Sequence, residues 1–156
     1  MTTSTTLKQN AKILFPNDNF LGVFSRDTLP KSSLKHGGLI VNTDTQNLPG
    51  THWVAILIRE NEAYYFDPFG YQPPLMIVTW LNKRFNIWTC NLRQVQPINS
   101  NHCGYFCLHF LYAAQIPYFE HIELVKIIDY LYPRTLQYSH YLDIVNTFIR
   151  NQELLE

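Results

Sequence analysis

Cys103 stands at the head of a long apolar run, GYFCLHFLYAA (residues 104–114), which predicts a mostly buried helix. A thiol in the first turn of such a helix lies beside unpaired backbone N–H groups and the positive end of the dipole, and both stabilise a thiolate. A nucleophile needs that environment, and Gly104 directly after it would let a backbone approach closely. A cysteine is equally a common core filler, so position alone leaves both readings open for Cys103. Cys107, one turn further along between Phe106 and Leu108, reads as filler, and Cys90, inside a strand-like run, reads first as a structural thiol.

A nucleophilic thiol also needs a base, a group to orient that base, and donors for the oxyanion of the tetrahedral intermediate. His102 adjoins Cys103, but consecutive residues do not generally face one another across a helix start. His52 opens the run HWVAILIRE (52–60) and is followed by Trp53, a ring able to shield an imidazole. A second β-favouring run, AYYFDPFG (63–70), follows across Asn61-Glu62, so the pair reads as a hairpin. A turn centred anywhere from Glu60 to Glu62 sets His52 opposite residues 68 to 72, with Asp67 toward the same end. A carboxylate there could accept the imidazole N–H and stabilise the imidazolium. Gln96 stands seven residues before Cys103 across the turn-prone PINSNH, where its amide could donate to the oxyanion with the Cys103 N–H. Each placement has an ordinary structural reading: a strand-end histidine, a turn aspartate before Pro68, an exposed glutamine. Their order His, Asp, Gln, Cys makes the hypothesis.

Other chemistry fits less well. Zinc takes tetrahedral ligands from paired short segments, and His102, Cys103, Cys107 and His109 point around much of one apolar helix. No second ligand pair lies elsewhere, so no metal is expected. An idle binding scaffold would usually have lost the thiol, the base or the oxyanion donor, and all are present.

The elements that must position these residues are legible in outline. Leu7–Phe15 reads as a short helix closed by Pro16, residues 25–36 as a loop, and GLIVNT (38–43) as a buried strand. The near-continuous VAILI suggests a strand covered on both faces. Pro73 and Pro74 introduce a helix over LMIVTWLNKRF, and IWTCNLRQVQ (87–96) alternates like another strand. Helices over 120–131 and 138–152 follow the central one, with Pro133 between them. Strands followed by helices imply an α+β domain, taken as a single domain over 1–156.

Composition narrows the partners. The chain has 156 residues, 46% hydrophobic and 15% charged, enough to bury a core without staples. Twelve Lys plus Arg balance twelve Asp plus Glu, which argues against strong nucleic-acid binding. Three cysteines, an odd number, fit a reducing interior, and no signal peptide or membrane-length run appears.

At these residues the chain resembles the adenovirus protease (adenain) family of cysteine endopeptidases and, more distantly, the SUMO-deconjugating proteases of the same clan. The likeness runs from about Phe20 to Ala114 through NFLGVF, IVNT, Gly50-x-His52-Trp53 and YYFDPFG, then Gln96 with Asn99-Ser100 before Cys103-Gly104-x-Phe106-Cys107. It implies a mixed central β-sheet packed against helices, a circularly permuted relative of papain. It also implies His52 as general base, Asp67 as its orienting acid, Gln96 as oxyanion donor and Cys103 as nucleophile, with Trp53 packed beside the histidine and Gly50 and Gly104 shaping the site. The adenovirus enzyme has Glu where Asp67 stands, whereas the SUMO proteases use Asp. The implied function is cleavage of virion capsid or core precursors, after glycine-containing motifs, inside an infected cell (nucleus or cytoplasm) or the virion, without secretion. The alternative is an isopeptidase acting on SUMO- or ubiquitin-like modifiers. The resemblance also implies an activating peptide or DNA, though the zero net charge argues against strong DNA stimulation. The segment between the 73–85 helix and Gln96 is compressed, so whether Cys90 matches the family's activator-bonding cysteine stays open.

Overall fold

Thr3 starts the first helix, because its hydroxyl accepts the Thr6 N–H and leaves Ser4–Leu14 (α1) to follow, closed before Pro16. In the computed structural model, which describes residues 2–32, 34–47 and 52–156, the order continues with β1 (Phe20–Ser25), β2 (His36–Asn42), β3 (Trp53–Arg59) and β4 (Glu62–Phe66). Then come α2 (Leu75–Arg84), β5 (Ile87–Cys90), α3 (Cys103–Ala114), two 3-10 turns at Pro117–Phe119 and Leu124–Lys126, α4 (Ile127–Leu131) and α5 (Tyr138–Asn151). Gly50 lies outside the described residues.

The strands form one sheet in the order β1-β2-β3-β4-β5. Its middle is antiparallel, and each edge strand joins its neighbour in parallel, so the sheet is mixed. Alternation along β3 divides the core. Trp53, Ala55 and Leu57 pack with α1, α3 and the C-terminal helices, while Val54, Ile56 and Ile58 pack with Ile77, Trp80 and Leu81 of α2. The reading of VAILI as covered on both faces therefore holds, as does the α+β class.

Helix α3 crosses the face of β3 and is buried along almost its whole length. At its far end the Arg59 guanidinium donates to the carbonyls of Ala114, Phe119 and Ile122, closing the helix and the turns after it. Its N-terminal end is left at the opposite end of the sheet, next to the start of β3.

Several boundaries differ from the sequence expectation. Phe20–Ser25 is a strand that periodicity did not reveal: Gly22 interrupts the run, and all six residues are only half-buried. The strand expected over 87–96 ends at Cys90, because Asn91 turns its side chain onto the backbone of Asp67. The helix expected over 120–131 is broken into a 3-10 turn and the five-residue α4.

Gly37 carries the junction between β1 and β2. Its φ is +131°, and a Cβ there would sit 2.8 Å from the Asn19 carbonyl oxygen, a backbone atom that cannot give way. Gly37→Ala should therefore lower unfolding free energy in urea by about 1–3 kcal/mol, and an unchanged midpoint would show that the β1–β2 junction relaxes freely.

Candidate active site

The hairpin register builds the site. Arg59 pairs with Glu62 and Ala55 with Phe66 around a two-residue turn in which Glu60 takes the left-handed conformation, φ 56°. Continued past its last pair, that register sets Phe69 opposite His52, and the two rings stack with centroids 5.0 Å apart. Asp67, two residues earlier, reaches the same imidazole: His52 Nε2 lies 2.7 Å from Asp67 Oδ1. The same oxygen accepts the Phe69 N–H at 2.8 Å.

Asp67 is only 2% exposed, so its charge has to be met by protein groups. Its main chain is held as firmly as its carboxylate. The Asp67 N–H donates to Asn91 Oδ1 at 2.9 Å, and Asn91 Nδ2 donates to the Asp67 carbonyl at 2.6 Å and the Arg93 carbonyl at 3.0 Å. The next carbonyl, Pro68, accepts the N–H groups of both Val95 and Gln96 at 2.9 Å. Residues 91–96 are thus fastened to the end of β4, which is why Gln96 is near the histidine's carboxylate at all.

With Nε2 committed to Asp67, the other imidazole nitrogen is left for the thiol. His52 Nδ1 is buried without a partner of full hydrogen-bond geometry, and Cys103 lies close enough to favour the imidazolium. Burial is the largest influence on His52 and lowers its pKa, but the hydrogen bonds and charges of Asp67 and Cys103 together outweigh it and raise the value from 6.5 to about 9. The Trp53 N–H points at Cys103 Sγ from 3.5 Å.

That peptide is held from its other side by the second cysteine. Cys107 Sγ donates to the Trp53 carbonyl at 3.5 Å, and burial pushes the Cys107 thiol well above its ordinary value, so it remains an S–H donor. Trp53 itself bonds away from the imidazole: its indole N–H donates to the Thr2 carbonyl at 2.9 Å. The rings that pack on His52 are Phe69 and, edge-on at 6.5 Å, Tyr71. Gly104 permits a close approach, but by helix α1, since a Cβ there would meet Leu7 at 3.0 Å and Thr2 at 3.3 Å.

Gln96 is fully buried, and its Nε2 donates to the Ser100 carbonyl at 3.1 Å and hydroxyl at 2.9 Å. Its Oε1 is buried without a partner. Ser100 Oγ in turn donates to the Pro97 carbonyl at 3.0 Å. The turn-prone segment expected between Gln96 and Cys103 is therefore a scaffold for the amide.

The remaining histidines and cysteines go elsewhere. His109 lies in the core, where burial lowers it to about 4, and its Nδ1 lies 2.7 Å from the hydroxyl of Tyr132, which burial raises well above its usual value. His102 turns to Asn101 and Tyr105. Cys90 is half-buried at the end of the edge strand β5, and burial raises its thiol. Asn91 and Phe69 escaped the sequence reading, although the hairpin register would have found Phe69, and Ser100 entered it only through the family likeness, without its role of holding the Gln96 amide.

Comparison with known proteins bears on the family and the fold. The family model described as adenovirus endoprotease matches residues 20–155. No curated protein matches the chain. Among solved structures it is similar to the ASFV pS273R protease, at 15% identity and a TM-score of 0.56, covering 99% of this chain and 67% of that one. A selenomethionine crystal structure of the same protease aligns at 20% identity and a TM-score of 0.51, over 78% of this chain but 44% of that one. An AvrA deletion variant solved with IP6 and CoA aligns at 16% identity and a TM-score of 0.55, over 94% of this chain and 67% of that one. At these identities the structural likeness shows the fold. The chain spans less than half of the selenomethionine structure's length.

Because the folded-state pKa of His52 lies above 6.5, its charged contacts stabilise the protein fully below pH 6.5 and lose that contribution as pH rises through about 9. Unfolding free energy should accordingly fall across that window in the parent protein and fall less in His52→Gln. Parallel pH profiles for the two proteins would refute the ion-pair account.

Proposed function

The chain belongs to the adenovirus endoprotease family of cysteine peptidases, and we propose that it is a cysteine endopeptidase working through His52, Asp67, Gln96 and Cys103. The observation that carries this reading is the short His52 Nε2–Asp67 Oδ1 contact, which leaves Nδ1 for the thiol at the start of α3.

In this mechanism Cys103 Sγ, as a thiolate paired with the His52 imidazolium, attacks the scissile carbonyl. Negative charge builds on the carbonyl oxygen, where the Cys103 N–H and the Gln96 amide receive it. For Gln96 to take part, an Nε2 hydrogen now directed at Ser100 has to turn to the oxyanion. The imidazolium then gives its proton to the leaving amine as the C–N bond breaks, which frees His52 to activate the water that hydrolyses the thioester. Asp67 keeps the ring oriented and stabilises its charged form throughout. Family membership supports virion precursor proteins as substrates, with glycine near the scissile bond, in an infected cell. Among the described residues no helix is long and apolar enough to cross a membrane.

A peptide electrophile should label the protein at neutral pH. Labelling should survive Cys90→Ala and Cys107→Ala and disappear in Cys103→Ala; labelling indifferent to Cys103 would sink the assignment. With cleavable virion precursors, Asp67→Asn should remain folded yet lose on the order of 10²- to 10⁴-fold in kcat. Full activity in that variant would remove Asp67 from the mechanism, and turnover confined to modifier conjugates would replace the endopeptidase with an isopeptidase.

A further inference from the structure

A hollow lies beside Trp53, whose N–H faces the Cys103 thiol. His52 leans toward β4 through Asp67, whereas on the β1 and β2 side of Trp53 a cavity of about 590 Å³ opens between α1 and the sheet. A lateral row of paired residues, Ser25–Asn42–Trp53, crosses from β1 to β3 along its floor, and all three line it. Trp53 belongs to both places, because its N–H touches Cys103 Sγ while it walls the cavity.

That order fixes which part of a substrate lies where. If His52 protonates the leaving amine, the leaving segment must lie on the imidazole side of Sγ. The acyl segment then runs the other way, over Trp53 and toward β2 and β1. We propose that this cavity receives the acyl-side segment of the substrate and favours an acidic side chain within it, an inference that rests on the peptidase reading above.

The chemistry of the walls supports that preference. Thr2, Ser4, Thr28, Asn42 and Gln46 bring hydroxyl and amide groups to the lining, beside the apolar side chains of Val23, Phe24 and Trp53. Among the described residues Lys8 is the single charged side chain in the lining and forms no ion pair. The Asp27 carboxylate accepts the Ser25 hydroxyl at 2.8 Å and the Gln46 N–H at 2.9 Å, both from residues of the lining. An ammonium lining the cavity attracts a carboxylate and repels a cation.

The test is a mixed peptide library with glycine before the scissile bond, randomised at the acyl-side positions and read by mass spectrometry, followed by matched pairs differing only in Glu, Gln or Lys. Glu should be preferred over Gln in kcat/KM by about threefold to fivefold at low salt, the range of an exposed charge pair. The preference should shrink as salt is added. Lys8→Glu should turn it toward Lys. Equal rankings for the parent and Lys8→Glu, with turnover intact, would overturn the acidic subsite and spare the peptidase reading. No turnover of any peptide, with Cys103 unlabelled by the electrophile, would overturn both.

Discussion

A carboxylate withdrawn from water must have its charge met by protein groups, and the demands of Asp67 organise the working end of this molecule. One of its oxygens takes the imidazole of His52 and the N–H of Phe69. Its peptide is gripped by Asn91, and the peptide after it anchors Val95 and Gln96. Three segments distant in sequence, the start of β3, the end of β4 and the chain after β5, are therefore located by one buried residue and its successor. Loss of the carboxylate would leave imidazole and amide donors without a buried acceptor, a larger cost than the net value of any single hydrogen bond.

The same chain sets two cysteines one helical turn apart to opposite ends. Cys107 lies deeper along α3, where burial keeps its proton on and its S–H serves the Trp53 carbonyl. Cys103 lies in the first turn, beside a histidine that its own proximity helps to keep charged. The peptide of Trp53 runs between the two sulfurs, accepting from one and donating to the other. A thiol that burial holds well above its ordinary value thus helps to fix the N–H that faces Cys103. His109 is likewise a core residue, neutral and paired with Tyr132.

What could be read in the sequence follows from how local its cause is. The helix beginning at Cys103 and the two-sided strand of residues 53–59 were legible because continuous burial writes continuous apolar residues. The His52–Asp67 juxtaposition was bounded because a hairpin register depends only on where its turn falls. Phe20–Ser25 was not legible as a strand: half-buried and interrupted by Gly22, it owes its pairing to β2. The grip of Asn91 on Asp67 was hidden as well, since an asparagine ending a strand-like run has no period to betray a partner 24 positions earlier. Ser100 stood within a segment read as a turn, and only the tertiary structure shows that its hydroxyl and carbonyl hold the Gln96 amide.

Helix α1 has a part in the site that its sequence does not suggest. Thr2, just ahead of it, accepts the Trp53 indole N–H, and Leu7 lies so close to Gly104 that a Cβ there would meet its methyl at 3.0 Å. The far end of α1 is tied to the C-terminus, where Asn10 exchanges two hydrogen bonds with the Leu155 backbone. Residues from both ends of the chain are thereby packed against the helix that carries the thiol. The cavity beside Trp53 is lined by the start of α1 on one side and by β1 and β2 on the other. Displacing α1 would accordingly disturb the indole, the cavity and the first turn of α3 together, since all are held by the same few contacts.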